Sequence, residues 1–330
     1  MPAEKNNISL RVLVAPLDWG LGHATRCIPL INLLLQEGFE VFLGGSGASG
    51  KLLAAEFADL PYQEIPSHRV KYSETRRGFA WAMLRQIPKL FFWQLRQERA
   101  WLKKFIKRQP LDVVISDNRY GLYHPSTHNI LITHQLGLRS GLSKGADRIL
   151  RRVHDRLLKK FNACWVPDEA GHPNLSGELG HPTWEIPIPV QYIGPLTRFQ
   201  YTETNVISKK ITIILSGPEP QRTLLEKKCL RELYEWNGMV TMVRGLPDRT
   251  EPIEVPPGWI SFDHLPTDRL QQEILGAEWV IARSGYSSLM DLFALKKKAI
   301  LIPTPGQPEQ EYLANWVEKQ GMSQIGRAHV

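Results

Sequence analysis

The sequence predicts two doubly wound α/β domains in one chain. Apolar runs of strand length alternate with amphipathic helical patterns through short links, first over residues 9–45 and again over 278–303. That alternation builds a parallel sheet with helices on its faces. The 330 residues suffice for two cores of ordinary size. A polar stretch, 197–209, reads as the linker between a first domain, 1–196, and a second, 210–324.

Residues 9–17 form the first strand. The turn Asp18-Trp19-Gly20-Leu21-Gly22-His23-Ala24-Thr25-Arg26 leads into a helix that carries Ile28, Leu30, Ile31, Leu34 and Leu35 and stops at Gly38. Residues 39–45 are the next strand. The Gly20-x-Gly22 turn invites a dinucleotide reading, but position 25 is Thr and no acid closes the second strand, so the fingerprint fails. What remains is a glycine turn that delivers His23 to a helix start. A neutral imidazole there can act as a general base, because the helix end disfavours its charged form. A structural histidine capping the turn is the alternative.

The net charge of +8 is uneven. Residues 69–108 hold twelve Lys/Arg against two Asp/Glu, and 139–160 hold eight against two, so both basic stretches lie in the first half. In 69–108 aromatic and aliphatic residues interleave with the basic ones at helical spacing. Such a segment can lie on an anionic membrane surface or pack as an inner helical pair whose basic ends reach water. We expect a packed helical pair near a membrane. No nucleic-acid motif accompanies it, and no nucleic-acid partner is expected.

Strands at 111–115 and 129–133 end at Ser116-Asp117-Asn118 and His134-Gln135. In the second half, strand 211–215 runs into Ser216-Gly217, a turn before a helix that could cradle a diphosphate on backbone N–H groups. Strand 278–282 turns through Arg283-Ser284-Gly285 into a helix whose Leu289, Leu292, Phe293 and Leu295 form an apolar stripe. Strand 299–303 follows at once. Small residues at Ser284 and Gly285 let a ligand approach the helix N-terminus. Asp291, further along that helix, could accept hydrogen bonds from sugar hydroxyls. A loop ending in Gln310 and Glu311 could fix a polyhydroxy ligand at the carboxyl edge of the sheet.

This last constellation resembles the C-terminal domain of glycosyltransferase family 28, which includes the N-acetylglucosaminyltransferase of peptidoglycan synthesis. The matching residues are Ser284-Gly285, Asp291 and Gln310. The peptidoglycan enzyme carries Glu at the Asp291 position and Gln at the Glu311 position. The Gly-x-Gly-His-x-x-Arg pattern at 20–26 is similar to the N-terminal loop of many two-domain glycosyltransferases, where the histidine is the proposed base. The resemblance implies GT-B architecture, two Rossmann-like domains facing a cleft. It implies inverting transfer from a nucleotide diphosphate sugar, UDP-linked, to a glycan or lipid-linked acceptor. His23 would be the base, with Asp117 and His134 on the acceptor side. Donor contacts would come from Gly22, Ser216, Gly217, His264, Ser284, Gly285, Asp291, Gln310 and Glu311.

No Asp-x-Asp triplet occurs, so no metal is expected; dipoles and basic residues such as Arg283 would carry the diphosphate charge. No cofactor is expected either. A nucleotide-sugar hydrolase or 2-epimerase could use the same fold and donor pocket, and a binding protein without turnover is a third reading. Cys27, Cys164 and Cys229 show neither metal-site spacing nor a disulfide framework. No run reaches the ~20 apolar residues of a spanning helix and no signal-peptide pattern opens the chain, so a cytoplasmic protein, peripheral on the membrane's inner face at most, is expected. Residues 325–330 read in frame as the start of a sequencing adapter, so the natural sequence is expected to stop being represented near Gln324.

Overall fold

The computed structural model describes residues 9–67, 76–138, 143–217, 219–246 and 253–326, with only the backbone for 76–90 and Lys144. The chain divides into two compact units. One is Met1–Val70, Pro88–Ala170 and Glu178–Leu196; the other is Lys71–Ile87, Gly171–Gly177 and Thr197–Val330.

The first unit runs β1 (Arg11–Pro16), α1 (Leu21–Gln36), β2 (Glu40–Gly45), α2 (Gly47–Glu56), β3 (Tyr62–Glu64), the part of α3 (Arg76–Arg108) from Pro88 onward, β4 (Val113–Asp117), β5 (His128–Ile132), α4 (Lys144–Leu158), β6 (Ala163–Val166) and β7 (Val190–Tyr192). Its strands pair in the order β3-β2-β1-β4-β5-β6-β7, all parallel. Ala24, Cys27, Ile28 and Ile31 recur at helical spacing on α1 and bury against Val12, Val14, Val41 and Leu43 of the sheet. Gly38, at φ 81°, ends α1 as expected: its N–H bonds Leu35 O and that of Phe39 bonds Leu34 O.

The basic aromatic stretch forms one helix, not the expected pair. Pro88 is absorbed within α3, and no glycine or turn-forming pair follows it before Arg108 to break the run. Leu102 of α3 is fully buried with Leu13, Phe42 and Val114, and Phe105 meets Phe42 edge-on at 6.2 Å. Residues 69–75 of that stretch, and the side chains up to 90, lie outside the described residues.

The second unit runs β8 (Ile207–Ile214), α5 (Gln221–Glu232), β9 (Val240–Val243), β10 (Trp259–Phe262), α6 (Thr267–Gly276), β11 (Ala277–Ala282), α7 (Tyr286–Ala294), β12 (Ala299–Leu301), α8 (Pro308–Lys319) and β13 (Gln324–Ile325). The order is β10-β9-β8-β11-β12-β13, again all parallel. Ile211, Ile213, Met242 and Ile281 centre its core. The polar stretch after Leu196 is tied to this unit. Phe199 is buried, and Gln200 N–H donates to Gln271 Oε1 at 2.9 Å. Ile325 lies beside Leu301 at the sheet edge; 327–330 fall outside the described residues.

A buried ion pair braces the first unit. Arg119, just beyond β4, donates Nε–H to Pro16 O (2.7 Å), NH1 to Glu98 Oε1 of α3 (3.0 Å) and NH2 to Ser46 Oγ (2.7 Å). Glu98 Oε2 accepts from Gly121 N–H at 3.0 Å. Burial pushes the Glu98 carboxyl above its ordinary value, against the pull of Arg119 and Gln94. Arg119→Met would leave that carboxylate buried without its counter-charge. It is expected to lower stability by about 3–5 kcal/mol in urea unfolding, while exposed Arg231→Ala should change it by about 0.5 kcal/mol or less.

Candidate active site

Each sheet reverses its strand order once, between β1 and β4 in the first unit and between β8 and β11 in the second. A loop leaving one of these strands goes to one face and the loop leaving its neighbour goes to the other. In sheets of this kind the carboxyl ends of the two strands are the usual ligand site. Several of the expected site residues lie at these two points, whereas His134 follows β5 and His264 follows β10.

At the first, Pro16 closes β1 in register with Asp117 at the end of β4. Gly20, at φ 135°, turns the chain into α1, whose first turn carries Gly22 and His23. Its carbonyl accepts from Ser49 Oγ at 3.0 Å, and Asp18 accepts from Ser49 N–H, so the loop is pinned to α2. His23 Nδ1 lies 3.1 Å from Asp117 Oδ1. Arg26, one turn along the same face of α1, grips Asp117 with both ends of its fork: Nε–H to Oδ2 at 2.5 Å, and NH2 to Oδ1. Arg26 NH2 also lies 2.9 Å from His23 Nδ1.

Arg26 is 2% exposed and Asp117 fully buried, whereas the His23 side chain keeps 20% of its surface. Burial alone would raise the Asp117 carboxyl, but Arg26 and His23 hold it well below the usual carboxylate range. An ionised carboxylate thus stands behind a partly open imidazole. Asp117, expected on the acceptor side, is placed as the partner of His23. His134, two residues beyond β5, is 3% exposed.

At the second point, Ser216 and Gly217 follow β8 in an open turn. Gly217 has φ 100°, and a Cβ there would meet nothing within 4 Å. Beyond β11, Ser284 Oγ donates to Gln310 O at 2.8 Å. Gly285 caps α7 without a side chain, no acid lies in the first turn, and a Cβ at Gly285 would also meet open space. Gln310 Oε1 accepts from Thr304 N–H (2.9 Å) and Glu311 Oε1 from Gly306 N–H (3.1 Å), so α8 shapes the loop after β12. Arg283 turns inward. Its NH1 donates to Ile302 O and Pro303 O, at 3.1 and 2.9 Å, and its NH2 to Gln221 O at 2.8 Å. Burial pulls the guanidinium down to about 10. His264 is exposed on the loop after β10. That loop is fixed through Asp263, which accepts from Arg244 NH1 at 2.5 Å; Arg244 and Arg222 share Glu226.

Three contributors escaped the sequence reading. Arg26 was visible in the Gly-x-Gly-His-x-x-Arg spacing, which puts it one turn from His23. The Arg222–Glu226–Arg244 cluster had half a signal, the i, i+4 pair on α5. Thr197 had none: it donates to Asp291 Oδ1 at 2.7 Å from 94 residues away.

Asp291 retains a partly exposed surface, yet burial pushes its carboxyl up to about 6, ahead of the opposing effects of Thr197 and Arg198. A carboxyl ionises near 4 in the unfolded chain. Stability from this residue is therefore full below about pH 4 and is lost as pH rises through about 6. Two units would be worth ~3 kcal/mol if fully buried; partial exposure reduces this to about 1–2 kcal/mol. Asp291→Asn keeps the acceptor for Thr197 and removes the loss. Urea unfolding should show near-equal stabilities at about pH 4 and a more stable variant at about pH 7.

Residues 262–327 match the glycosyltransferase family 28 C-terminal domain. An uncharacterized glycosyltransferase of Methanosarcina mazei is 26% identical over 96% of this chain and 85% of its own length. The UDP-N-acetylglucosamine–N-acetylmuramyl-(pentapeptide) pyrophosphoryl-undecaprenol N-acetylglucosamine transferase of Lachnospira eligens is 22% identical over 92% of this chain and 82% of its own. Among solved structures, the spinosyn rhamnosyltransferase SpnG complexed with thymidine diphosphate superposes with a TM-score of 0.61 at 18% identity. That alignment covers 96% of this chain and 86% of the other. The two all-parallel Rossmann-like sheets share the fold of GT-B glycosyltransferase structures, and the matches support a glycosyltransferase whose residues 262–327, in the second unit, are similar to the family 28 C-terminal domain.

Proposed function

We propose that the protein transfers a sugar from a nucleotide diphosphate donor, UDP-linked, to an acceptor hydroxyl, with His23 as base. The observation that carries this reading is the contact between the partly open His23 ring and the buried, ionised Asp117. With Nδ1–H donated to Asp117, the lone pair of Nε2 is the one left for an acceptor. As the acceptor oxygen bonds the anomeric carbon, its proton passes to Nε2. The bond from that carbon to the diphosphate breaks, the diphosphate leaves with the electron pair, and the configuration inverts.

The donor belongs to the second unit. The open N-terminus of α7 and the Ser216-Gly217 turn offer backbone N–H groups to the diphosphate, where fixed dipoles act without reorganising. Arg283, bonded to three carbonyls, braces this edge and lends its charge from beneath. Asp291 and Gln310 would hold the ribose and sugar; Gln310 has already spent its side-chain carbonyl on Thr304, so its NH2 group makes the contact. The reading needs no metal and no cofactor, and assays with and without magnesium test the former.

The acceptor is proposed to be a glycan or lipid-linked molecule reached from an anionic membrane surface. No described helix is long and apolar enough to cross a membrane. On α3, however, Phe92 and Trp93 are exposed close to exposed Arg96 and Arg99. Co-sedimentation with anionic vesicles, lost on zwitterionic ones and in Phe92→Ser, is the expected result. Equal binding to both lipids would contradict the anionic contact, and binding to neither would remove the membrane contact altogether.

Nucleotide release from UDP-sugars, assayed with glycan and membrane-lipid acceptors, is expected to fall by about 10²–10⁴-fold in His23→Ala, with donor affinity unchanged. Turnover unchanged in that variant would exclude His23 as the base. Donor consumption that no acceptor accelerates would favour the hydrolase or 2-epimerase reading.

A further inference from the structure

We propose that Arg26 is a positioning residue for His23 that offsets the pull of Asp117 on the ring by sharing that carboxylate with it. The inference deepens the proposed role of His23 as base and rests on it.

A histidine backed by an aspartate alone is drawn toward the imidazolium, since the carboxylate stabilises the charged ring. Here the carboxylate is already engaged. Arg26 donates to both oxygens, Cys27 Sγ–H lies 3.9 Å from Oδ2, and His23 Nδ1 shares Oδ1 with the guanidinium. The same guanidinium nitrogen stands 2.9 Å from Nδ1, so its positive charge directly opposes a second proton on the ring. Arg26 and Asp117 are both buried, where neither charge is well screened. Other charged groups on the surrounding elements are engaged elsewhere: Asp18 on Ser49 N–H, and Arg119 on Pro16 O and Glu98. Among the described residues, Arg26 and Asp117 are the charged groups shown against the ring. The i, i+3 spacing on α1 holds base and guanidinium in fixed register. The carboxylate therefore orients the imidazole while the arginine limits how much of the negative charge the ring experiences.

The test reads the ring itself and needs no acceptor. With histidine-selective ¹⁵N labelling, the His23 signals are assigned by their loss in His23→Gln and followed through a pH titration. In Arg26→Met the ring should take its second proton about one pH unit or more higher than in wild type. In Asp117→Asn, where the guanidinium is left uncompensated, it should do so at lower pH than in wild type. Arg26→Lys keeps the charge and should stay within about half a unit of wild type. A midpoint that does not rise in Arg26→Met overturns the proposal, as does one that does not fall in Asp117→Asn. If Arg26→Met does not fold, Asp117→Asn and Arg26→Lys decide by the same criteria, and a full upward shift in Arg26→Lys overturns the proposal. Loss of the base reading would show separately, as unchanged turnover in His23→Ala.

Discussion

The ion pair between Asp117 and Arg26 organises the first unit's functional edge. A carboxylate at the end of a central strand, buried beneath the first turn of a helix, is tolerable only with a counter-charge in contact. Arg26 supplies it from α1, and the requirement fixes how α1 leaves β1. Gly20 must turn sharply, the first helical turn must lie over the end of β4, and His23 is carried to the place where one of its nitrogens faces Asp117. Arg119 completes the support by tying the end of β1, the start of α2 and α3 to the loop beyond β4. Placement of the imidazole is thus a consequence of satisfying one buried charge.

The second unit solves a different problem at the equivalent place. Its switch point presents backbone: an open glycine turn after β8 and a helix start capped by Gly285 after β11. The side chains around it are largely committed inward. Ser284 holds Gln310, Gln310 holds Thr304, Arg283 holds three carbonyls, and Arg222, Glu226 and Arg244 lock the neighbouring loops. Such commitments keep N–H groups in fixed directions, which an anionic ligand requires. Asp291 is the exception, an acid with its pKa raised by burial and one hydroxyl partner. That combination costs stability and is the kind of feature retained at functional sites.

The fold was legible because its determinants are local. Continuous apolar strands such as 12–15, helical stripes such as 24, 27, 28 and 31, and punctuation such as Gly38 each act within a few residues. Missed elements were those with weak local signals. The three-residue β3 has only one partly buried side chain, and the 33-residue α3 runs unbroken where a helical pair was expected. Site residues at strand ends could be nominated individually, because parallel sheets bind ligands there. Their partnerships could not. Asp117 and His23 are 94 residues apart, and nothing near Asp117 announces that its partner is a histidine rather than a ligand. The inward turn of Arg283 was equally hidden, because only the folded loop after β12 brings the carbonyls of Ile302 and Pro303 to it.

Calorimetric titration of UDP, GDP and dTDP into the protein, first without metal, measures most directly whether the second switch point holds a donor nucleotide. If it does, UDP binds without added metal and about tenfold or more weaker in Asp291→Ala. Absence of binding by all three nucleotides, or UDP binding that Asp291→Ala leaves unchanged, would contradict that assignment.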